Sequence, residues 1–419
     1  MPHQSRRRVT GRKSRLLPLR GEACIYPAHN VLQVMERLYL DHAATTPVRA
    51  EVLDAMLPFF TRLSANPSSM HAGGQHVARE LAAARSRIAL ALGARPQEIV
   101  FTSGGSEADN LALFGSLTGR FERAHVVTSA IEHHAVLHAA QALRERGHRV
   151  TILPVDREGL VSGDALRDAL DGTPAVVSIM HGNNEIGTIQ DLSNLTAVAH
   201  ERGALVHSDA VQTVGHIPVD VNVLGVDLLS LSAHKFEGPK GIGALYVRPG
   251  VTLAPLIHGG GQEGGRRSGT ENVPGVVGMA TALALAVAEQ EETMQRVSAL
   301  RDALIDGIMR AIPHASLNGP RTRRLPNNVN VRFDRVEGDT VVLGLDLAGI
   351  DTSTGSACSS GSLEPSHVTR ALGLEPAQAR GAIRMSLGRT TTRADVERVL
   401  QVLPPVVQRL RGLAGALTV

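Results

Sequence analysis

Short apolar runs alternate with longer amphipathic segments from about residue 75 onward. The amphipathic pattern predicts a helix over residues 75–92, a second helix from Glu107 and a third that ends at Arg146. Apolar runs predict buried strands at 98–102, 125–129, 150–154, 175–181, 205–208, 228–232 and 243–247. Strands that alternate with helices in this way indicate an α/β fold, with a mostly parallel sheet and helices on both faces.

The pattern changes after Gly275. One long helix is predicted over residues 277–312, followed by strands at 327–333 and 382–386, a helix at 339–347 and a terminal helix. These elements indicate a smaller α+β domain. Because 419 residues exceed one typical core, we predict a large domain at 46–288 and a small domain formed by residues 35–45 with 289–419.

The composition, 43% hydrophobic with 42 glycines and 21 prolines, fits a globular enzyme. The whole chain carries +3 and residues 1–34 carry +6, so residues 35–419 carry −3. A mildly acidic body gives no support to nucleic-acid binding. No apolar segment is long enough for a membrane span, so no membrane partner is expected.

The basic segment 1–34 has three interpretations: a transit peptide, a nucleic-acid-binding arm, or a stretch read from an upstream start. We favour the third, because Met35 is closely followed by the strand-like Leu-Tyr-Leu at 38–40. Cys24 lies in this segment, and Cys358 is the single cysteine of the remaining chain. A single cysteine forms no internal disulfide, which favours a cytoplasmic location.

Three of the 43 basic residues are lysines, namely Lys13, Lys235 and Lys240. Where charge alone is needed this chain uses arginine, so a retained lysine is a candidate for chemistry that a guanidinium cannot perform. Lys235 closely follows the apolar run 228–232, where its amine could form an imine with an aldehyde cofactor such as pyridoxal phosphate. The alternative is that three lysines remained by chance in an arginine-rich chain.

Pyridoxal phosphate also needs a carboxylate for its ring nitrogen, a phosphate-binding turn and a ring-stacking group. Asp209 ends a predicted strand and suits the first need, unless it only caps the following segment. The turn Ser103-Gly104-Gly105-Ser106 precedes a helix and suits the phosphate, although ordinary capping loops have the same pattern. His133 can stack on the ring, and Gln212 can bond the ring hydroxyl.

Two further motifs have simpler interpretations. His134 and His138 lie four residues apart on a predicted helix, but no third ligand has suitable spacing for a metal. Gly259-x-Gly261-x-x-Gly264 matches a dinucleotide-binding fingerprint, yet no apolar helix follows it. A glycine-rich loop that approaches an anion is the better interpretation.

Cys358 lies in Thr-Gly-Ser-Ala-Cys-Ser-Ser-Gly-Ser, among small polar residues and glycines. A buried structural cysteine usually has apolar neighbours. This pattern therefore predicts an exposed loop whose thiolate is available as a nucleophile.

Taken together, these motifs resemble those of the cysteine desulfurases, which belong to the fold-type I, class V aminotransferase group. The resemblance runs from about Leu38 to the end of the chain and includes Leu-Asp-His-Ala-Ala-Thr-Thr-Pro (40–47), Asn-Pro-Ser-Ser (66–69), Phe-Thr-Ser-Gly-Gly-Ser-Glu (101–107), Glu-His-His-Ala-Val (132–136), His-Gly-Asn-Asn-Glu-Ile-Gly (181–187), His-Ser-Asp-Ala-Val-Gln (207–212), Ser-Ala-His-Lys (232–235), Arg-Ser-Gly-Thr (267–270) and Gly-Ser-Ala-Cys (355–358). The long cysteine loop and the Ser-Leu-Glu-Pro-Ser after it resemble the iron–sulfur-assembly branch.

The resemblance implies a role for each candidate residue. Lys235 would form the imine with pyridoxal phosphate and move the Cα proton, while His133 would stack on the ring and assist proton transfer. Cofactor contacts are implied for Asp209, Gln212, Gly105, Ser106, Ser232 and His234, with Thr270 supplied by the partner subunit of a homodimer. Arg384, with Asn184 and Asn66, would hold the substrate carboxylate.

The resemblance also implies the reaction. Cys358 would take sulfur from L-cysteine as a persulfide, leave L-alanine, and pass the sulfur to an iron–sulfur scaffold or another acceptor protein. No metal is expected at the cofactor site, although Cys358 is expected to contact iron–sulfur species during transfer. Ser106 and Ala233 replace a common threonine and glycine of the family, and Lys240 is expected to be structural.

Three rival functions remain open. A selenocysteine lyase or a cysteine sulfinate desulfinase on the same fold would not need Cys358. A non-catalytic platform for partner proteins would not need the combination of Lys235, Asp209 and His133. A nucleic-acid role through residues 1–34 would show salt-sensitive binding that is lost when the chain starts at Met35.

Overall fold

The computed structural model describes residues 37–118, 123–354 and 364–416. Its strands are β1 Leu38–Tyr39, β2 Ile99–Thr102, β3 His125–Ser129, β4 Arg149–Leu153, β5 Ala175–Ser178, β6 Leu205–Asp209, β7 Leu228–Ser232, β8 Gly243–Val247, β9 Ala315–Leu317, β10 Asn328–Phe333, β11 Ile350–Asp351 and β12 Ala382–Ser386. Its helices are α1 Ala50–Thr61, α2 Ala72–Ala91, α3 Gly105–Leu117, α4 His134–Glu145, α5 Gly163–Ala169, α6 Leu192–Glu201, α7 Val221–Leu224, α8 Val273–Ala288, α9 Gln290–Ala311, α10 Gly338–Asp346, α11 His367–Ala371, α12 Pro376–Arg380 and α13 Arg393–Ala416. The interpretations of segment 1–34, with Cys24, and of the loop that contains Cys358 fall outside the described residues.

The main sheet has seven strands in the order β2-β8-β7-β6-β5-β3-β4. Neighbouring strands run parallel from β7 through β4, and β8 is antiparallel to both β2 and β7. The predicted mostly parallel sheet is therefore confirmed. Its parallel strands bring their carboxyl ends to one edge, which is where ligands bind in sheets of this kind.

Helices cover both faces of this sheet. Val126 of β3 packs in a cluster with Leu113 and Leu143, which belong to α3 and α4. The next residue, Val127, packs in the large cluster on the opposite face, to which α2, α6 and α8 contribute. Because consecutive strand residues point to opposite faces, an apolar run rather than an alternating pattern is required in each buried strand.

A second group of elements has its own apolar cluster. It is formed by Leu38, Leu40 and residues between Val297 and Val407, which include the buried faces of α9 and α13. The antiparallel sheet β12-β10-β9 and the parallel pair β1-β11 contribute to it. Residues from both ends of the described chain therefore pack together in this part.

The single long helix predicted over residues 277–312 is wrong. The structure has two helices, α8 and α9, which meet at Glu289 with a bend of 71°. The apolar α8 is buried in the cluster under the main sheet, whereas α9 packs one face against the second cluster. Glu289 also binds Arg49 through two hydrogen bonds of 2.9 Å, so the bend is held by a contact distant in sequence.

Among the described helices, none is by itself long and apolar enough to cross a membrane. Only α8 and α9 together have the required length and composition, and the 71° bend separates them.

Candidate active site

Most of the predicted site residues meet in one cavity at the carboxyl edge of the main sheet. The cavity has a volume of about 280 Å³. Its predicted members are Gly105, Ser106, His133, Asn184, Asp209, Gln212, Ser232, His234, Lys235 and Arg384, and the further lining residues are Ala43, Ala44, Asp109, Met180 and Val211. These side chains come from seven separate parts of the chain, and the sheet brings them together.

Two predicted residues lie elsewhere. Asn66 does not line the cavity, and its side-chain oxygen accepts a hydrogen bond of 2.8 Å from the backbone N–H of Ser68. Thr270 is exposed and is also absent from the lining. Since Thr270 was assigned to a partner subunit, its position within one chain does not test that assignment.

Lys235 lies in the turn directly after β7. Its Nζ donates hydrogen bonds to the carbonyl oxygens of Ala43 and Ala44, at 2.6 and 2.8 Å. His216 donates from Nε2 to the Lys235 carbonyl at 2.9 Å and so fixes the backbone of the turn. The amine is therefore held inside the cavity by two backbone oxygens that precede α1.

Asp209 is the last residue of β6 and is 5% exposed. Its Oδ1 accepts a hydrogen bond of 2.9 Å from the backbone N–H of Val211. Burial raises the pKa of Asp209, and the charges of His133 and Lys235 oppose that rise. A buried carboxylate at the end of a strand is suited to hold a protonated ring nitrogen, because the cation would offset the cost of burying its charge.

His133 is the N-cap residue of α4. Its Nδ1 accepts a hydrogen bond of 3.1 Å from the backbone N–H of Ala135, which places the proton of the neutral ring on Nε2. Burial lowers the pKa of His133, and the charge of Asp209 opposes this effect. The helix terminus thus fixes both the orientation and the tautomer of a neutral imidazole that faces the cavity.

The turn before α3 (residues 103–106) is bordered by glycine backbone, where no side chain fills the space. A Cβ on Gly243 would lie 2.7 Å from the backbone of Gly104, and a Cβ on Gly105 would lie 2.7 Å from Val211. Glu107 accepts a hydrogen bond of 2.8 Å from the Ser103 N–H, which fixes the start of the turn. The first N–H groups of α3 have no side-chain cap, so they can bind an anion such as a phosphate.

The outer side of this turn faces a second opening. It is lined by Ser106, Ser232, His234 and Lys240, among others. Burial, followed by the charges of Lys235 and Lys240, lowers the pKa of His234 to about 4, so this imidazole is neutral. The sequence indicated only a structural role for Lys240, but this lysine lies beside the hydroxyl groups that are candidates for phosphate binding.

Arg384 is 2% exposed and belongs to β12. Its Nη1 donates to the backbone oxygen of Asn184 at 2.9 Å, and its Nη2 donates to Asp41 at 2.7 Å. Its buried Nε makes no hydrogen bond with any described residue. Arg384 therefore lines the cavity with one donor that no described residue uses. A guanidinium at this position suits a small carboxylate.

Two buried acids near the site, Asp109 and Glu132, were missed by reasoning from the sequence. Asp109 lies within α3 and lines the cavity, and its burial becomes visible only in the fold. Glu132 precedes His133 and accepts hydrogen bonds from the Ser129 hydroxyl at 2.6 Å and from the Met180 N–H at 3.0 Å. Both carboxyl groups lie close enough to Asp209 for its charge to raise their pKa values.

Glu132 predicts a particular pH dependence of stability. Burial raises its pKa to about 8 from an ordinary value of 4.5, so over this window the folded protein holds a proton that the unfolded chain has lost. Unfolding then releases a proton, and the free energy of unfolding falls as pH rises. Glu132→Gln cannot ionise, so its unfolding free energy should fall less between about pH 5 and pH 8 in denaturant titrations.

The exposed Glu201→Gln is the matched control for this prediction, because Glu201 is solvated in the native state. It should retain the wild-type pH dependence. Parallel stability curves for wild type and Glu132→Gln would show that Glu132 is ionised in the folded protein, against the expectation.

The two motifs that had simpler interpretations are not part of the cavity. The rings of His134 and His138 are 5.0 Å apart, and His367 lies 4.7 Å from His134. Among the described residues, no group of three or more His, Cys, Asp and Glu side chains is arranged to hold a metal ion. The Gly259–Gly264 motif forms a loop with a short turn at Glu263–Gly265, not the strand-to-helix junction of a dinucleotide site.

Comparison with known proteins places this geometry in a family. The family model for aminotransferase class-V matches residues 38–399. A protein of Methanosarcina thermophila described as cysteine desulfurase IscS is 51% identical over 386 residues, which cover 92% of this chain and 95% of that protein. A solved NifS-like protein is 40% identical with a TM-score of 0.84, over 89% of this chain and 100% of the other.

A solved structure described as SspA in complex with cysteine is also similar, at 39% identity and a TM-score of 0.75, over 85% of this chain and 100% of the other. Enzymes of this family depend on pyridoxal phosphate, and the residues present fit that cofactor. The cavity offers a primary amine, a buried carboxylate and an uncapped helix terminus, held by Lys235, Asp209 and the turn before α3. On the matched length, the relatives and the fold, the chain belongs to the class-V aminotransferase family.

Proposed function

We propose that this chain is a pyridoxal-phosphate-dependent cysteine desulfurase, which converts L-cysteine to L-alanine and retains the sulfur as a persulfide on Cys358. The observation that carries the proposal is the meeting of Lys235, Asp209 and Arg384 in one cavity. The relatives described as cysteine desulfurases, at 51% and 50% identity, support the choice of substrate. When bound, the cofactor supplies an electron sink for the carbon that bears the substrate amine.

The other steps of the proposed reaction depend on separate residues of the chain. Lys235 would hold the cofactor through its amine and would accept the substrate Cα proton. The carbonyl oxygens of Ala43 and Ala44 position this amine in the cavity. Arg384 orients the substrate carboxylate from the wall of the cavity, with Asn184 beside it. We keep Asn66 as a further substrate contact that requires movement of its loop.

The remaining cofactor contacts are proposed on the same basis. Asp209 would pair with the ring nitrogen, His133 would stack on the ring and Gln212 would bond the ring oxygen. Phosphate contacts are proposed for Gly105, Ser106, Ser232 and His234, with Thr270 from a second copy of the chain in a homodimer. The neutral state of His133 favours stacking and leaves its Nε2 proton available for transfer.

Sulfur transfer requires a thiolate near the substrate. The sulfur of Cys358 attacks the sulfur of the bound L-cysteine, the substrate carbon–sulfur bond breaks, and its electron pair stays with the carbon fragment, which becomes alanine after protonation. Both flanks of the Cys358 segment are fixed near this site. Ser353 exchanges backbone hydrogen bonds with Arg384, and Ser366 donates to Glu185 at 2.6 Å.

The structure also supports the proposed domain boundaries. The large apolar cluster of the main sheet contains residues from Val52 to Leu283. The second cluster contains Leu38, Leu40 and residues from Val297 onward. These ranges agree with a large domain at 46–288 and a small domain of 35–45 with 289–419. A cytoplasmic location and delivery of sulfur to an iron–sulfur scaffold or another acceptor protein remain part of the proposal.

Alanine release by the pure protein tests this function. With L-cysteine and a thiol reductant, we expect L-alanine and sulfide in equal amounts, together with a visible absorbance band from bound cofactor. Preference for selenocysteine or cysteine sulfinate by on the order of tenfold or more in kcat/KM would instead favour the lyase or desulfinase. Absence of the cofactor band would favour a non-catalytic platform.

A further inference from the structure

Asp109 lies one turn after Ser106 in α3, and 1% of its surface is exposed. It lines the same cavity as Asp209 and Lys235. Its Oδ1 is buried and makes no hydrogen bond with any described residue. An unpartnered buried polar atom is rare, because it has lost its hydrogen bonds to water and has formed none within the protein. The position of this carboxyl group therefore needs an explanation beyond helix formation.

The nearest polar neighbours of Asp109 are also buried. The Ser230 hydroxyl lies close enough to the Asp109 carboxyl group to lower its pKa. His207 places Nε2 at 3.6 Å from Asp109 Oδ1 and at 2.9 Å from Ser230 Oγ, and its Nδ1 lies 2.8 Å from Ser178 Oγ. Among the described residues, no arginine or lysine forms an ion pair with Asp109. A buried carboxylate would have no cation here to offset its charge.

The charges around Asp109 favour its neutral form. Burial lowers the pKa of His207 to about 3, so the adjacent imidazole is uncharged. Burial, and then the negative charge of Asp209, raise the pKa of Asp109 well above its usual range, and the Ser230 hydroxyl opposes them. The titratable groups of the neighbouring elements are His207 and Asp209 on β6, Glu132 and His133 before α4, and Lys235 after β7.

We propose that Asp109 is a positioning residue of the cofactor site, which remains an uncharged acid and leaves Asp209 as the one ionised carboxylate that faces the cofactor. The proposal rests on the proposed role of Asp209. A second carboxylate in the cavity would make Asp209 itself hold a proton, and a protonated Asp209 could not stabilise a protonated ring nitrogen.

The charge of Asp109 is tested by the visible band of cofactor bound to Lys235, titrated in the holoenzyme between about pH 6 and pH 10. Asp109→Asn has the same shape without the ability to ionise. It should leave the titration midpoint within about 0.3 pH unit of wild type. If Asp109 were ionised, loss of a negative charge within about 10 Å would lower the midpoint by on the order of one pH unit, and that result would overturn the proposal.

The positioning role is tested by Asp109→Ala, which removes the hydrogen-bonding group. Its dissociation constant for pyridoxal phosphate should rise about tenfold, and Asp109→Asn should restore most of the affinity. Equal affinity of the alanine variant and wild type would overturn the role. If circular dichroism shows that Asp109→Ala is unfolded, Ser230→Ala provides the same comparison, because it removes the hydroxyl that contacts Asp109.

The asparagine variant of Asp209 distinguishes a wrong role for Asp209 from a wrong charge state of Asp109. Asp209→Asn should shift the midpoint by on the order of one pH unit and weaken cofactor binding, whatever the charge of Asp109. An unchanged midpoint in Asp209→Asn would contradict the role of Asp209. A shifted midpoint in both asparagine variants would retain that role and reject a neutral Asp109.

Discussion

Replacing Lys235 by arginine is expected to reduce L-alanine formation by on the order of a thousandfold or more. Arginine preserves the positive charge and can still donate hydrogen bonds to the carbonyl oxygens of Ala43 and Ala44. A guanidinium does not lose its proton at neutral pH, so it neither forms an imine nor accepts the Cα proton. The variant therefore shows how much activity depends on a reactive amine at this position, because the positive charge is retained. Lys235→Ala should lose at least as much activity, since it removes both.

The measurement is alanine release, combined with the mass of the protein after borohydride reduction in the presence of cofactor. Reduction should attach the cofactor permanently to wild type and to neither Lys235 variant. Lys240→Arg is the matched control, because it changes the other lysine near the cavity and keeps the charge beside the phosphate turn. It should stay within about threefold of wild-type activity. Comparable activity in Lys235→Arg would exclude covalent catalysis by this residue.

Replacing Cys358 by serine should abolish catalytic sulfur removal while the cofactor band remains. Serine has nearly the same size as cysteine, but its hydroxyl is a far weaker nucleophile toward a substrate sulfur than a thiolate. Alanine release from L-cysteine should therefore fall by on the order of a thousandfold, as in Cys358→Ala. Because binding does not depend on the thiol, L-cysteine should still change the absorbance of the bound cofactor.

Cys24→Ser provides the control, because it removes the other cysteine of the chain. It should leave alanine release and persulfide formation at wild-type values. Equal alanine release by wild type and Cys358→Ala would show that Cys358 does not accept the sulfur, and the lyase or desulfinase would then become the better proposal. Loss of the cofactor band in Cys358→Ser would indicate a structural defect instead.

The main sheet and much of the cavity could be predicted from local sequence. The strands of a sheet covered on both faces are apolar throughout, so runs such as Leu228–Ser232 stand out against the helices between them. In such sheets the residue after a strand lies at the ligand-binding edge. Asp209, His133 and Lys235 could therefore be recognised as site residues before their distances were known.

Contacts between distant residues could not be predicted in this way. Ala43 and Lys235 are 192 positions apart, and the carbonyl oxygens that hold the amine carry no side-chain signal. Asp41 pairs with Arg384 across 343 positions, and Glu289 binds Arg49 across 240, which helps to divide one predicted helix into two. Each of these interactions depends on where two segments come together after folding.

The amino-acid sequence by itself determined the alternating elements, the residues at the strand ends and the family to which the chain belongs. These depend on local hydrophobic period and on short motifs, which are properties of neighbouring residues. Only the tertiary structure decided that α8 and α9 are separate, that no residue in the described ranges accepts a hydrogen bond from Arg384 Nε, and that Asp109 is buried in the same cavity as Asp209. Burial and electrostatic coupling arise from packing between distant segments, because they depend on which groups have lost their water and which charges remain near them.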